Sequence, residues 1–415
     1  MRCPYNKKIL DSLSFLALQV LLYPVRYMKL SWIHRMGAFL GRGVFYCSAK
    51  YRKRTLSNLS LSTLALSEKQ LYEAAKQAVE NLMINCLEYA KFAQIKSMEG
   101  IALCENPEMA ASLMQEGKPV IFFCGHQANW EVLFLEGTSR MRGVAIGRPI
   151  KNRLLYNWLL KIRQKFGGKI IAPHNAVREG LRALKQGYFL GIVGDQGMPD
   201  SGFSSSFLGR RAWTSPLPAI LSHRTGCPII VATTRREKGK YLIHYSDPIW
   251  PEKSAPFDTE IPRLMNQALS LFEESIKARP GEWLWSHNRW KQQTPGRVKR
   301  PYRQESLCLL LPEEKEAFDA VKGHLSTFRE IYPLEFITCK VPSAFASECL
   351  LEDAAIEPYQ EIGELLKPDL RFKLVFNFTA LKALKSSYKS AFAILDLTTE
   401  GDLAALLKEK LLYAP

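Results

Sequence analysis

Residues 119–131 read PVIFFCGHQANWE and hold a histidine and a carboxylate, His126 and Glu131, just beyond a short apolar run. A carboxylate bonded to one imidazole nitrogen fixes the ring's tautomer and stabilises the imidazolium. The other nitrogen is then free to take a proton from a hydroxyl as it attacks a carbonyl. Spacing alone does not single the pair out, because a chain with this many histidines and acids yields about 0.7 such pairs by chance. A second one, His174 and Glu179, lies in PHNAVREGLRALKQG, where Glu179 belongs to a polar helix face beside Arg178 and Arg182. Between Lys118 and Glu131, by contrast, no Asp, Glu, Lys or Arg occurs. A carboxylate in such an apolar stretch needs a partner, and His126 is the nearest candidate. Cys124 offers a rival reading, a Cys–His nucleophile on the same strand face; the plainer reading is a buried strand cysteine. No serine stands in a GxSxG elbow.

The elements around the pair read as α/β. Candidate strands are PVIFFC (119–124), GVAIG (143–147), KIIAP (169–173), YFLGIVGD (188–195), PIIVATTRR (228–236) and YLIHYSD (241–247). Helical stretches such as RLLYNWLLKIRQKF (153–166) and NAVREGLRALKQG (175–187) alternate with them, and residues 64–92 read as a helix pair. This alternation predicts an α/β sheet covered by helices on both faces, with functional residues gathered beyond the carboxyl ends of the strands. Residues 294–305 read as a polar, basic linker. Beyond it ESLCLLLP, LEFITCK, FKLVFNF and SAFAILDL predict a small C-terminal α/β domain over 306–415, with no motif of its own.

Charge is unevenly placed. The chain has 57 Lys+Arg and 40 Asp+Glu; residues 301–415 hold 13 and 18 of these, so the first 300 carry a net +22. An anionic partner is implied for the basic part. Nucleic acid is disfavoured, since no zinc-finger, RNA-binding or helix-turn-helix signature occurs. The first sixty residues hold eleven basic side chains and one acid, Asp11, around the uncharged run Leu13–Val25. Arg26, Lys29, Arg35 and Arg42 then interleave with Trp32, Phe39 and Phe45. Basic and aromatic residues beside an apolar helix describe a membrane-associated segment over 1–48. Nine scattered cysteines without a CxxC pair fit reduced thiols and give no metal signal.

Taken together, GHQANWE, GRPIKN (147–152), GDQG (194–197), FLGRRAWTSPLP (207–218), CPIIV (227–231) and PGEWLWSHNRWK (280–291) resemble the bacterial lipid A late acyltransferases. These lauroyl/myristoyl acyltransferases belong to a broader glycerolipid-acyltransferase-like group, which implies an α/β fold with a mixed sheet flanked by helices. The resemblance runs from the N-terminal apolar helix to about residue 293 and implies an acyltransferase domain over 49–293. It implies acyl transfer from acyl carrier protein, without a further cofactor, to a hydroxyl of a hydroxyacyl chain on a phosphorylated Kdo–lipid A precursor. The enzyme would sit on the cytoplasmic side of the bacterial inner membrane. His126 would be the general base and Glu131 its orienting carboxylate, with Asn129, Arg148, Asn152, Asp195, Gln196, Arg211 and Thr214 binding substrate or shaping the site. Alternatives are another glycolipid or glycerol phosphate acceptor, and a Cys124/His126 thioesterase. The resemblance says nothing about the last 122 residues, and leaves Trp283, Trp285 and Trp290 as either core packing or an interfacial belt.

Overall fold

The computed structural model describes residues 4–397 and 401–414, so Cys3 lies outside the described residues. Four helices come first: α1 (Pro4–Leu22), α2 (Leu30–Cys47), α3 (Ala49–Leu61) and α4 (Glu68–Phe92). The expected helix pair over 64–92 is the single helix α4, whose sequence contains no glycine or proline to break it. It starts at Ser67, which forms a capping box with Gln70. Helix α2 lies so close on α4 that a Cβ at Gly41 would stand 2.3 Å from the Glu80 Cα.

There follow β1 (Ala102–Cys104), α5 (Glu108–Gln115), β2 (Ile121–Cys124), α6 (Trp130–Arg140), β3 (Gly143–Ile146), α7 (Arg153–Arg163) and β4 (Lys169–Ile171). Next come α8 (Ala176–Lys185), β5 (Phe189–Val193), β6 (Ser204–Phe207), β7 (Arg210–Trp213), α9 (Leu217–Thr225), β8 (Ile229–Glu237), β9 (Lys240–Tyr245) and α10 (Phe257–Ala278). Seven strands form one mixed sheet in the order β1-β9-β8-β2-β5-β3-β4. Five of them, from β8 to β4, run parallel, while β9 pairs antiparallel with β8. Strand β2 is central and all four of its residues are buried, as a strand covered on both faces must be. All six strands expected in this part form. Missing from the expectation were β1, only three residues long, and the β6–β7 hairpin, whose first strand SSSF has three serines and a single residue, Phe207, of the branched or aromatic kind that signals strands.

The C-terminal residues add β10 (Ser306–Leu310), α11 (Lys315–Lys322), α12 (Leu325–Ile331), β11 (Phe336–Pro342), β12 (Ala355–Tyr359), β13 (Leu374–Asn377), β14 (Ala393–Asp396) and α13 (Leu403–Leu411). Their five strands form a second, all-parallel sheet in the order β12-β11-β10-β13-β14. The unexpected β12 carries Pro358 and lies at an edge, where a missing donor is tolerated. Residues 294–305 are anchored rather than loose: Val298 is fully buried and bridges to Leu412. Lys373, buried beside β13, forms an ion pair with the equally buried Glu305. Its ammonium also donates to Asn58 Oδ1 at 2.8 Å and Asn288 Oδ1 at 2.9 Å, tying the second sheet to α3 and to the segment after α10.

At the other end, the segment Lys8–Tyr27 is long and apolar enough to cross a membrane. Leu10, Leu13, Leu16, Val20 and Leu21 stand exposed along α1, and Trp32, Phe39 and Tyr46 continue the apolar surface on α2. Asn152, which caps α7, donates its amide to the Asp11 carbonyl of α1 at 3.0 Å.

Candidate active site

Strands β2 and β5 are parallel neighbours with Cys124 opposite Val193. His126 and Asp195 each stand two residues beyond those partners, so the register sets them side by side at the carboxyl end of the sheet. His126 Nδ1 lies 2.7 Å from Asp195 Oδ1. The other carboxylate oxygen, Oδ2, accepts from the His126 backbone N–H at 2.8 Å and from the Trp283 indole N–H at 2.7 Å. Gly125 makes room for this approach, since a Cβ there would stand 2.0 Å from the Phe272 ring and 2.8 Å from Asp195 Oδ2. Burial pushes the Asp195 carboxyl upward, but the His126 charge, the His126 ring and backbone donors and the Trp283 donor together hold it down at about 2.

A permanently ionised Asp195 fixes the imidazole with its proton on Nδ1. The Nε2 lone pair then faces the amide nitrogen of Gln196 at 3.3 Å. The His126 ring is half-buried and meets the Trp130 ring edge-on, with centroids 4.4 Å apart. Its turn is clamped from two sides. Ala128 has a left-handed backbone (φ 44°), and its carbonyl accepts from the Asn81 and Asn85 amides of α4. On the other side the Ala128 N–H donates to the Glu282 carbonyl and the Leu284 N–H to the His126 carbonyl. A strained residue held this firmly at the end of a strand is a recurring property of functional turns.

Glu131 does not make the expected bond to His126. It lies in the first turn of α6, where the chain has already turned away from the strand, and it faces α7. There it accepts from Arg163 Nε at 2.9 Å and from the Tyr89 hydroxyl at 2.6 Å. The partner of His126 is Asp195. Asn129 caps α6 and donates to the fully buried Glu88, which also accepts from the Tyr241 hydroxyl and faces His34 Nε2 at 2.7 Å. Asn129 therefore sits inside the protein, in the network that fixes α4 and α6.

The remaining expected residues do not gather at one place. Gln196 joins the His126 site. Arg148 and Arg211 are exposed and form no ion pair among the described residues. Asn152 joins α7 to α1, as described above. Thr214 is fully buried and accepts from Arg289, itself fully buried. The Cys124 thiol is enclosed, lies 3.7 Å from the Ile192 carbonyl, and is pushed up by burial and by the Asp195 and Glu131 charges, so it is not a thiolate. Two of the cations over 153–166 are engaged within the protein: Arg163 serves Glu131, and Lys165 donates to the carbonyls of Ala93 and Ile95. Trp283, Trp285 and Trp290 are buried together, which makes them core packing.

A half-buried histidine held by a buried carboxylate at the carboxyl end of a parallel sheet, with only the Gln196 amide near its second nitrogen, is an arrangement that can take a proton from a hydroxyl. The chain belongs to the bacterial lipid A biosynthesis acyltransferase family, whose model matches residues 7–292. It is 24% identical over 298 residues to the lipid A biosynthesis myristoyltransferase of Escherichia coli K12, covering 66% of this chain and 84% of that protein. Lipid A biosynthesis acyltransferase 1 of Shigella flexneri matches to the same extent.

Proposed function

We propose that the protein transfers a fatty acyl chain from acyl carrier protein to a hydroxyl of a hydroxyacyl chain on a phosphorylated Kdo–lipid A precursor, with His126 as general base and Asp195 as the carboxylate that orients it. The observation that carries the reading is the 2.7 Å contact between His126 Nδ1 and Asp195, on a chain that belongs to this family. The acceptor hydroxyl displaces the long contact to Gln196, gives its proton to Nε2, and forms the C–O bond of the new ester. The thioester C–S bond then breaks, and the carrier thiolate leaves with the proton held by the imidazolium. Asp195 stays ionised throughout and stabilises the imidazolium.

Glu131 acts at one remove in this reading: its ion pair with Arg163 locks α6 to α7 behind the site. The exposed Arg148 and Arg211 are the residues available to an anionic sugar phosphate. The apolar surface of α1 and α2, with the basic residues around it, anchors the enzyme at the inner membrane on the cytoplasmic side, in a glycerolipid-acyltransferase-like arrangement. The net positive charge of residues 1–300 suits both an acidic carrier and an anionic lipid.

The test uses membranes containing the full chain, a labelled carrier thioester and the hydroxylated precursor, with mass spectrometry of the lipid. One acyl group should be added, and His126→Ala should abolish the addition with folding intact. Full transfer by a folded His126→Ala protein would end the assignment.

A further inference from the structure

The residues beyond 293 lie outside the family match, and they form one wall of a cavity of about 480 Å³ that the catalytic reading does not use. The other wall comes from Tyr46 at the end of α2, from Arg52, Lys53 and Leu56 of α3, and from Tyr72 of α4. Facing them are Lys385, Tyr388, Lys389 and the segment Ala391–Ile394. Its volume is that of a small-molecule site.

Four cations, Arg52, Lys53, Lys385 and Lys389, converge on this one cleft, and no Asp or Glu lines it. Among the described residues none of the four has a carboxylate within ion-pair distance, in a chain that pairs many of its other buried and half-buried charges. Lys53 reaches across the seam, donating to the Ala391 carbonyl at 2.6 Å with its ammonium over the Phe392 ring. Burial, and then Arg52 and Lys385, press its charge toward neutrality, so the like charges feel one another. Arg52 is held by the Phe45 and Tyr46 carbonyls at the end of α2. Tyr388, almost wholly buried, contributes to the wall between the two lysines. The rest of the lining is apolar or aromatic: Leu56, Tyr72, Phe392 and Ile394.

Repelling cations and an apolar wall in one cleft are unfavourable when empty and complementary to one chemistry. We propose that the cleft binds an organic phosphate, with the phosphoryl group among Lys53, Lys385 and Lys389 and an apolar or aromatic body against Leu56, Tyr72 and Phe392. Both an anionic lipid headgroup with its first carbons and a soluble phosphometabolite with an aromatic ring satisfy this description. Tyr46 and Phe392 stand exposed at its edge.

The experiment is calorimetric titration of the purified full chain with two soluble probes, dihexanoyl phosphatidate below its micellar concentration and adenosine monophosphate. It is repeated on Lys385→Glu/Lys389→Glu, two exposed positions away from the His126 site, and on Lys53→Met. Saturable one-to-one binding of either probe, weakened at least tenfold in the double variant and reduced in Lys53→Met, supports the proposal. Which probe binds identifies a lipid or a soluble source. The ligand-free double variant should also melt no lower than the parent, because its substitutions relieve repulsion. Failure of both probes to bind, or affinity unchanged by the double variant, overturns the proposal; so does binding only to vesicles containing phosphatidate with the same affinity in parent and variant.

Discussion

Replacing Asp195 by asparagine is the sharpest test of the pairing seen here, because the surrounding donors dictate how the new side chain sits. Oδ2 of Asp195 receives two fixed N–H groups, from the His126 backbone and the Trp283 indole. In Asp195→Asn the amide oxygen must stay with those donors, or two buried N–H groups lose their acceptor at about 1–3 kcal/mol each. The amide nitrogen therefore faces His126 Nδ1 and can only donate. That forces the imidazole proton onto Nε2, the nitrogen that has to accept the substrate proton. The electrostatic loss adds to this. Asp195 falls from 3.8 to about 2 despite burial, so it prefers the ionised form beside His126, and the imidazolium loses that stabilisation in the amide variant. Tautomer inversion of the same kind costs about 10⁴ in serine proteases. The expected result is a fall in kcat of about 10³–10⁴ for Asp195→Asn, with unfolding close to that of the parent protein. In Glu131→Gln, His126 keeps its tautomer, and any loss should track stability, because the Arg163 charge is left half-paired. Steady-state kinetics on both variants, with urea unfolding alongside, decides the matter. More than a tenth of parental kcat in Asp195→Asn, with none in a stably folded Glu131→Gln, would refute the argument and return Glu131 to the role the sequence suggested.

Other consequences are open to direct measurement. Lys373→Met leaves Glu305 buried without its cation and should cost about 3–5 kcal/mol in denaturant unfolding, most of it recovered in Lys373→Met/Glu305→Leu. His287 is pulled from 6.5 down to about 4, chiefly by burial, so it folds as the neutral ring while the unfolded chain protonates near 6.5. Its contribution is intact above pH 6.5 and lost as pH falls toward 4, by up to about 3 kcal/mol, and His287→Gln should flatten that part of the stability profile. Cys124→Ala should retain transfer within a few fold, because the enclosed thiol has no chemical part; abolished turnover in a well-folded variant would revive the thioesterase reading. Arg148→Ala and Arg211→Ala should each raise KM for the anionic acceptor by about tenfold while leaving unfolding within about 0.5 kcal/mol of the parent.

Strand periodicity was the most legible part of the sequence. Runs such as PVIFFC and YFLGIVGD announce buried parallel strands by composition alone, and both form. Strand order is not written locally, and this is why Asp195 was seen as a motif residue but not as the partner of His126. Sixty-nine positions separate the two, and only the pairing of β2 with β5 brings them together. Its one local trace was that each follows the end of an apolar strand by the same two residues. Glu131 misled because proximity along an extended chain does not survive a turn and a helix start. Arg163 was hidden among the cations of α7, whose exposed and inward faces look alike in composition. The tryptophans after α10 were ambiguous for a similar reason: an indole suits a core or a membrane interface, and only burial distinguishes them.

The second sheet is not an appendage to this site. Lys373 donates to Asn58 Oδ1, and the Asn58 amide donates to the carbonyls of Trp285 and His287 at 2.7 and 2.6 Å. Those residues belong to the short segment that carries Trp283, whose indole holds Asp195 Oδ2 and whose neighbour Leu284 holds the His126 carbonyl. Each link is a short hydrogen bond between buried or half-buried groups, where a misplaced donor is expensive. The position of the carboxylate beside His126 therefore depends on residues 58 and 373 as well as on the two strand ends. A chain ending near Gln293 would lack Lys373 and Glu305 and leave Asn58 to find another partner. Such a protein would keep every residue of the His126–Asp195–Trp283 cluster while losing part of the frame that sets their distances.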